Sequence, residues 1–182
     1  MRSRTLVILV LLCTTATARA QDMPLSQVLI DGEDWRLVGE GYTFTEGPAV
    51  DAHGNVFFTD VPESKIYRID AVTGKVALFA DDTAKTNGLM FGPDGRLFGC
   101  RNGDKQIVAY KTDGTYDVIA SDVSCNDIVV ARDGHIWFTD PGNQQVWHVS
   151  PQGEKRVVAK GWRPNGVILT RDGGTLVVTD SN

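Results

Sequence analysis

The sequence predicts an all-β fold, a β-propeller reduced to about three and a half blades, and three observations carry that reading. A short motif recurs at a period near forty residues, opening at Glu46-Gly47-Pro48, Asn87-Gly88-Leu89, Asn126-Asp127-Ile128 and Asn165-Gly166-Val167, with first residues 41, 39 and 39 apart. A turn glycine follows each opening residue at a fixed distance of eight: Gly54, Gly95, Gly134 and Gly173. Beyond the N-terminal leader no stretch sustains the i, i+3, i+4 apolar spacing of a helix.

The elements follow in chain order. Arg2 and Arg4, the apolar run Leu6 to Leu12 and the small-residue end Ala18-Arg19-Ala20 read as a secretory signal peptide over 1–20. That apolar run is far shorter than the ~20 residues of a membrane span, so export with cleavage after Ala20, to the periplasm or outside, is expected and no membrane anchor in the mature form. Residues 21–40 form an N-terminal segment in which Trp35-Arg36-Leu37-Val38 has the character of a strand able to close a blade. Residues 41–182 are the partial propeller. Within each unit the first strand ends at a tight turn, and three of the four turn glycines follow aspartate (Asp94, Asp133, Asp172), a pair suited to hairpins because glycine accepts positive φ without steric cost. Second strands run to Thr59-Asp60, Thr139-Asp140 and Thr179-Asp180. Third strands alternate over Lys65 to Ile69, Gln106 to Tyr110 and Gln145 to Val149, and fourth strands over Val76 to Ala80, Tyr116 to Ala120 and Arg156 to Ala159. The fourth unit stops after its second strand. A propeller needs at least ~4 blades to close, so the 182 residues are expected to be part of a longer protein or a truncated product, with self-association as the remaining way to close the ring.

Composition excludes other classes. With 42% hydrophobic and 23% charged residues the chain is neither disordered nor collagenous, and a net charge of −5 with no basic tract argues against a nucleic-acid partner. Three cysteines in the whole chain exclude a disulfide-stapled miniature.

In a propeller the first strand of each blade lines the central channel, so equivalent positions converge on the axis. Glu46, Asn87, Asn126 and Asn165 would thus bring one carboxylate and three carboxamides together, a hard-oxygen set suited to Ca²⁺ or Mg²⁺. For each asparagine alone, a plain turn role is an equal reading. His53 and His135 fall in hairpin turns and His148 on an outer strand; they share no metal-ligand spacing, and a surface role is expected. Cys100 and Cys125 would lie near the same channel mouth, yet spacing cannot fix their Cβ geometry, and the unpaired state is favoured. Asp127, beside Asn126 on a strand, would point to the other face and is expected to satisfy blade backbone groups rather than to act as a base. No G-x-S-x-G elbow, P-loop or dinucleotide fingerprint is present.

Over about residues 40–182 the chain resembles the family of gluconolactonase, the senescence marker protein (regucalcin) and the luciferin-regenerating enzyme. Glu46-Gly47-Pro48-Ala49-Val50, Asn126-Asp127 with Asp133-Gly134-His135-Ile136-Trp137-Phe138-Thr139-Asp140-Pro141, and Pro164-Asn165-Gly166-Val167 carry the resemblance. It implies a six-bladed propeller with one divalent metal in the channel, Ca²⁺ foremost with Mg²⁺, Mn²⁺ or Zn²⁺ as alternatives. It also implies hydrolysis of a sugar lactone, with a small-molecule lactone or sugar acid as the substrate. By the same resemblance Glu46, Asn165 and, less securely, Asn87 are metal ligands, while Asn126 and Arg101 contact substrate. Arg101 stands where relatives often carry histidine, and Ser124 where some carry arginine. The family's remaining ligand, an aspartate also proposed as the general base, has no counterpart before Asn182. The rival class is an exported, non-catalytic propeller that uses the channel for binding, since the fold alone does not fix a function.

Overall fold

The computed structural model describes Gly32 and residues 35–181. The expected signal peptide and most of the 21–40 segment lie outside the described residues. One compact unit runs from Leu37 to the C-terminus, and it is all-β apart from a single 3-10 turn at Asn102–Asp104.

Four antiparallel sheets follow one another along the chain. The first holds β1 (Thr45–Val50), β2 (Val56–Asp60), β3 (Lys65–Ile69) and β4 (Val76–Ala80), in that spatial order. The second repeats the pattern with β5 (Thr86–Phe91), β6 (Leu97–Arg101), β7 (Gln106–Tyr110) and β8 (Tyr116–Ser121). The third has β9 (Ile128–Val130), β10 (Ile136–Asp140), β11 (Gln145–Val149) and β12 (Lys155–Lys160). The fourth has β13 (Pro164–Leu169) and β14 (Leu176–Asp180) only. Three four-stranded blades and a two-stranded one make the three and a half blades that the repeat predicts, and the third and fourth strands fall where alternation places them.

The turns work as the sequence implies. Gly54, Gly95, Gly134 and Gly173 all have φ between +70° and +83°, and the preceding aspartates accept backbone N–H groups across the turn, as Asp94 does from Arg96 at 3.1 Å. Residues 35–38, read from the sequence as a candidate closing strand for a final blade, are irregular here, and Leu37 is 78% exposed.

The core lies between blades. Phe57, Leu89, Leu97, Val108 and Tyr110 fill the space between blades 1 and 2, with Phe57 edge-on to Phe79 and Phe91 at ring-centroid distances of 5.0 and 5.1 Å. Between blades 2 and 3, Phe98, Ile107, Ile128, Ile136 and Phe138 pack around the two cysteines. Stacking the blades sets their first strands side by side, β1 against β5, β5 against β9 and β9 against β13. This row positions the site.

Candidate functional site at the channel mouth

In three of the four units the opening residue lies at an irregularity of the first strand's register. Thr45 pairs with Asp60, Thr86 with Arg101 and Pro164 with Asp180, and directly after each pair, or one residue later, the ladder breaks in a bulge. Glu46, Asn87 and Asn165 sit at those bulges, and a bulge is a means of re-aiming a side chain. In blade 3 the equivalent Asn126 precedes β9; its N–H donates to the Thr139 carbonyl at 2.8 Å, and the Thr139 N–H donates to the Asp127 carbonyl at 3.0 Å.

The blades touch closely here. The Gly88 N–H donates to the Asn126 carbonyl across blades at 2.9 Å. A Cβ on Gly88 would lie 2.7 Å from that carbonyl oxygen and 2.8 Å from the Asp127 Cα, so only glycine allows the approach. The Thr59 hydroxyl sits between blades 1 and 2, 3.1 Å from the Glu46 carbonyl and 3.2 Å from the Asn87 carbonyl.

Two acceptors in this row have no partner. The side-chain oxygens Oδ1 of Asn87 and of Asn126 are buried and unbonded. Asn87 as a whole is only 9% exposed. A buried amide oxygen without a donor costs about 1–3 kcal/mol, which a bound ligand or ion would relieve. Glu46 is half-buried in the same row, whereas Asn165 is exposed. Among the described residues no three His, Cys, Asp or Glu side chains gather on one point. The donors available are therefore amide oxygens with one or two carboxylates, the chemistry of a hard cation. Glu46, Asn87, Asn126 and Asn165 carry oxygens of that kind by residue type, and Glu46 also borders an apolar cleft of about 360 Å³ with Tyr42, Pro48, Phe58 and Ile69.

Asp127 departs from expectation. Its backbone, not its carboxylate, satisfies the blade. The carboxylate reaches over Gly88, and a Cβ there would meet its Oδ1 at 2.9 Å. Burial, and then the charge of Glu46, push its pKa up to about 6. The backbone-satisfying aspartates are instead Asp60, whose oxygens accept the N–H groups of Thr43 and Phe44, and Asp180, which accepts that of Arg163.

Arg101 occupies the place that Asp60 and Asp180 hold in their units, and its guanidinium is engaged rather than free at the mouth. Its Nε donates to Asp104 at 2.7 Å, and the group lies over the Tyr116 ring at 4.6 Å. Arg101, only 7% exposed, finds these partners within its own blade. Beside it the Tyr110 hydroxyl donates to Thr86 Oγ1 at 2.8 Å, because the Thr86 hydroxyl is already directed to the Thr83 carbonyl at 2.7 Å.

Two further expectations are corrected. Cys100 and Cys125 are joined in a disulfide with Cα atoms 5.1 Å apart, because blade stacking brings the end of β6 against the residue that precedes Asn126. His148 is not a surface residue: it is 7% exposed, its Nε2 lies 2.7 Å from His135 Nδ1, and the rings stack at 4.9 Å. Cross-strand register places His148 opposite Trp137, which buries it beneath the indole. Arg156 donates to His148 Nδ1 at 3.3 Å, which leaves the His148 proton on Nε2.

A sequence profile described as the SMP-30/Gluconolactonase/LRE-like region matches residues 44–182. The chain belongs to this family. Among solved structures similar to it, a gluconolactonase from Xanthomonas campestris shares 28% identity at a TM-score of 0.71, the match covering 79% of this chain and 57% of that one. Regucalcin from Agrobacterium tumefaciens, a calcium-binding protein, shares 19% identity at a TM-score of 0.63, with 77% of this chain and 51% of that one covered. Virginiamycin B lyase from Staphylococcus aureus shares 23% identity at 0.60, with 75% and 48% covered. The last two show the fold alone, and the SMP-30/gluconolactonase-like chain spans less than two thirds of the length of each of the three. No curated protein matches it by sequence.

Proposed function

We propose that this SMP-30/gluconolactonase-like chain contributes the channel mouth of a divalent-metal-dependent lactonase acting on a small sugar lactone, in an exported protein. The observation that carries the proposal is the pair of buried, unbonded side-chain oxygens on Asn87 and Asn126, in the row of first strands that also carries Glu46. Family membership over residues 44–182 and the similarity to a gluconolactonase support it.

In this reading Glu46, Asn165 and Asn87 hold the cation, with Ca²⁺ the expected ion. The bound ion supplies Lewis acidity toward a lactone carbonyl. Asn126 orients the substrate through its carboxamide. Asp127, whose pKa burial and the charge of Glu46 raise to about 6, is protonated only below that pH and would carry a second negative charge beside a bound cation at neutral pH. Arg101 keeps the end of β6 in place through Asp104 and Tyr116 and is assigned to positioning. Export rests on the leader sequence; N-terminal sequencing of the mature protein should begin at Gln21.

The test is hydrolysis of a six-membered sugar lactone followed by acid release, with Ca²⁺ and with excess EDTA, for wild type and E46Q. EDTA and E46Q should each reduce the rate by about 10²-fold or more, as removal of a transition-state-stabilising group does. Equal rates in EDTA, or an active E46Q, overturn the proposal.

A further inference from the structure

The second strands of the four units end Thr59-Asp60, Cys100-Arg101, Thr139-Asp140 and Thr179-Asp180, so Cys100 stands where the other units have threonine. That threonine has a structural task. Thr59 bridges the mouth residues of two adjacent blades through the carbonyls of Glu46 and Asn87, and the Thr139 hydroxyl accepts the Asp127 N–H at 3.1 Å. In blade 2 the same position is joined covalently to Cys125 of blade 3, immediately before Asn126. Both cysteines are buried, at 0% and 1% exposure, among Phe98, Ile107, Ile128 and Phe138.

The third blade has particular need of such a latch. β1, β5 and β13 each have six residues and include their mouth residue, whereas β9 has three and begins after Asn126. Fewer ladder bonds therefore hold Asn126 than hold Glu46, Asn87 or Asn165. What fixes it is the Asn126 N–H to Thr139, the Gly88 N–H to the Asn126 carbonyl, and the anchored Cys125 beside it. Meanwhile its side-chain oxygen is kept buried and unbonded, an arrangement that a loose backbone would relax by turning the amide toward solvent.

We infer that the Cys100–Cys125 disulfide is a positioning element for the channel mouth, the covalent counterpart of the threonine latch, and that it sets the place of Asn126 against Gly88 across the gap between blades 2 and 3. The inference rests on the lactonase reading only for what Asn126 is positioned to do. The latch itself is a property of the chain without metal or substrate.

The experiment compares the full chain as wild type, as C100A/C125A, and as C100T/C125T, which restores at both positions the residue that the repeat uses elsewhere. The readout is amide hydrogen exchange by NMR, without metal or substrate, at Gly88, whose N–H reports directly on the Asn126 carbonyl. Loss of an interaction that orients a site typically costs 10–100-fold, so exchange at Gly88 should quicken about tenfold in C100A/C125A while amides of β2 and β3 keep their rates. In C100T/C125T it should return to within about threefold of wild type. Unchanged exchange at Gly88, or an equal rise across all blades, overturns the inference. If C100A/C125A does not fold, wild type before and after reduction by dithiothreitol decides: quickened exchange at Gly88 in the reduced, folded protein supports the latch, and unchanged exchange there refutes it. Alkylation of the unfolded, unreduced wild type should leave Cys100 and Cys125 unlabelled; labelling of both also refutes it. Where wild type hydrolyses lactone, C100A/C125A should raise KM about tenfold with a smaller effect on kcat. A wild type inactive on every lactone overturns the lactonase reading and leaves the exchange comparison standing.

Discussion

Replacing Asp127 by asparagine should stabilise the metal-free protein at neutral pH, although most substitutions of a half-buried residue do the reverse. The carboxylate lies over Gly88 with no side-chain donor among the described residues, and it faces the charge of Glu46. Burial and that neighbour raise its pKa from 3.8 to about 6, which sets a ceiling of about 3 kcal/mol on the cost of the ionised form. The group is only partly buried, and solvent screening reduces the expected cost to about 1–2 kcal/mol. The sign follows from linkage. Folded Asp127 binds its proton more tightly than unfolded Asp127, so its favourable contribution is complete below the unfolded pKa. That contribution is lost as pH rises toward about 6. D127N removes the charge while keeping the shape, so in EDTA it should raise Tm at pH 7.5 by about 3–6 °C and leave it nearly unchanged at about pH 4. His148, whose pKa burial and then Arg156 depress, changes stability in the opposite sense as pH falls, but the same term is present in both proteins and cancels in the comparison. Thermal unfolding of the two proteins across this range is the assay. Equal Tm values at pH 7.5, or a D127N protein destabilised there, would refute the placement of Asp127 beside Glu46.

Gly88→Ala should cost about 1–3 kcal/mol in a urea titration, because the added Cβ meets backbone atoms of Asn126 and Asp127 rather than a flexible side chain. Tyr110→Phe should cost about 1 kcal/mol by the same assay, since the hydroxyl bonded to Thr86 is lost while Thr86 keeps the Thr83 carbonyl. The Asp172 carboxylate is held below the ordinary range by the Thr170 hydroxyl and then by the Gly174 N–H. A depressed folded pKa stabilises above the unfolded value and is lost on acidification, so D172N should lower Tm at pH 7 and the difference should close toward about pH 2.

The repeat made much of this fold legible, since turn glycines and strand alternation are local and recur. The third strands match residue for residue, because a period of two leaves no freedom of register once one face is buried. The opening residues were legible as equivalent positions of the repeat, and the first strands of three units break register at matching places. What escaped depends on contacts between blades. The Cys100–Cys125 bond requires knowing how closely blade 2 approaches blade 3, and the burial of His148 requires knowing that Trp137 lies across from it. The environment of Asp127 depends on Gly88, a residue of another blade. One signal was present and points to the disulfide: Cys100 interrupts the run of threonines at Thr59, Thr139 and Thr179, and Arg101 interrupts the aspartates beside them.

The central proposal is that Glu46, Asn87 and Asn165 hold a divalent cation, and calorimetric titration of the metal-free full chain with Ca²⁺ tests it most directly. The account predicts one ion per chain, with binding weakened about 10–100-fold in N87A and abolished in E46Q. Absence of binding by wild type, or undiminished binding by E46Q, would contradict it.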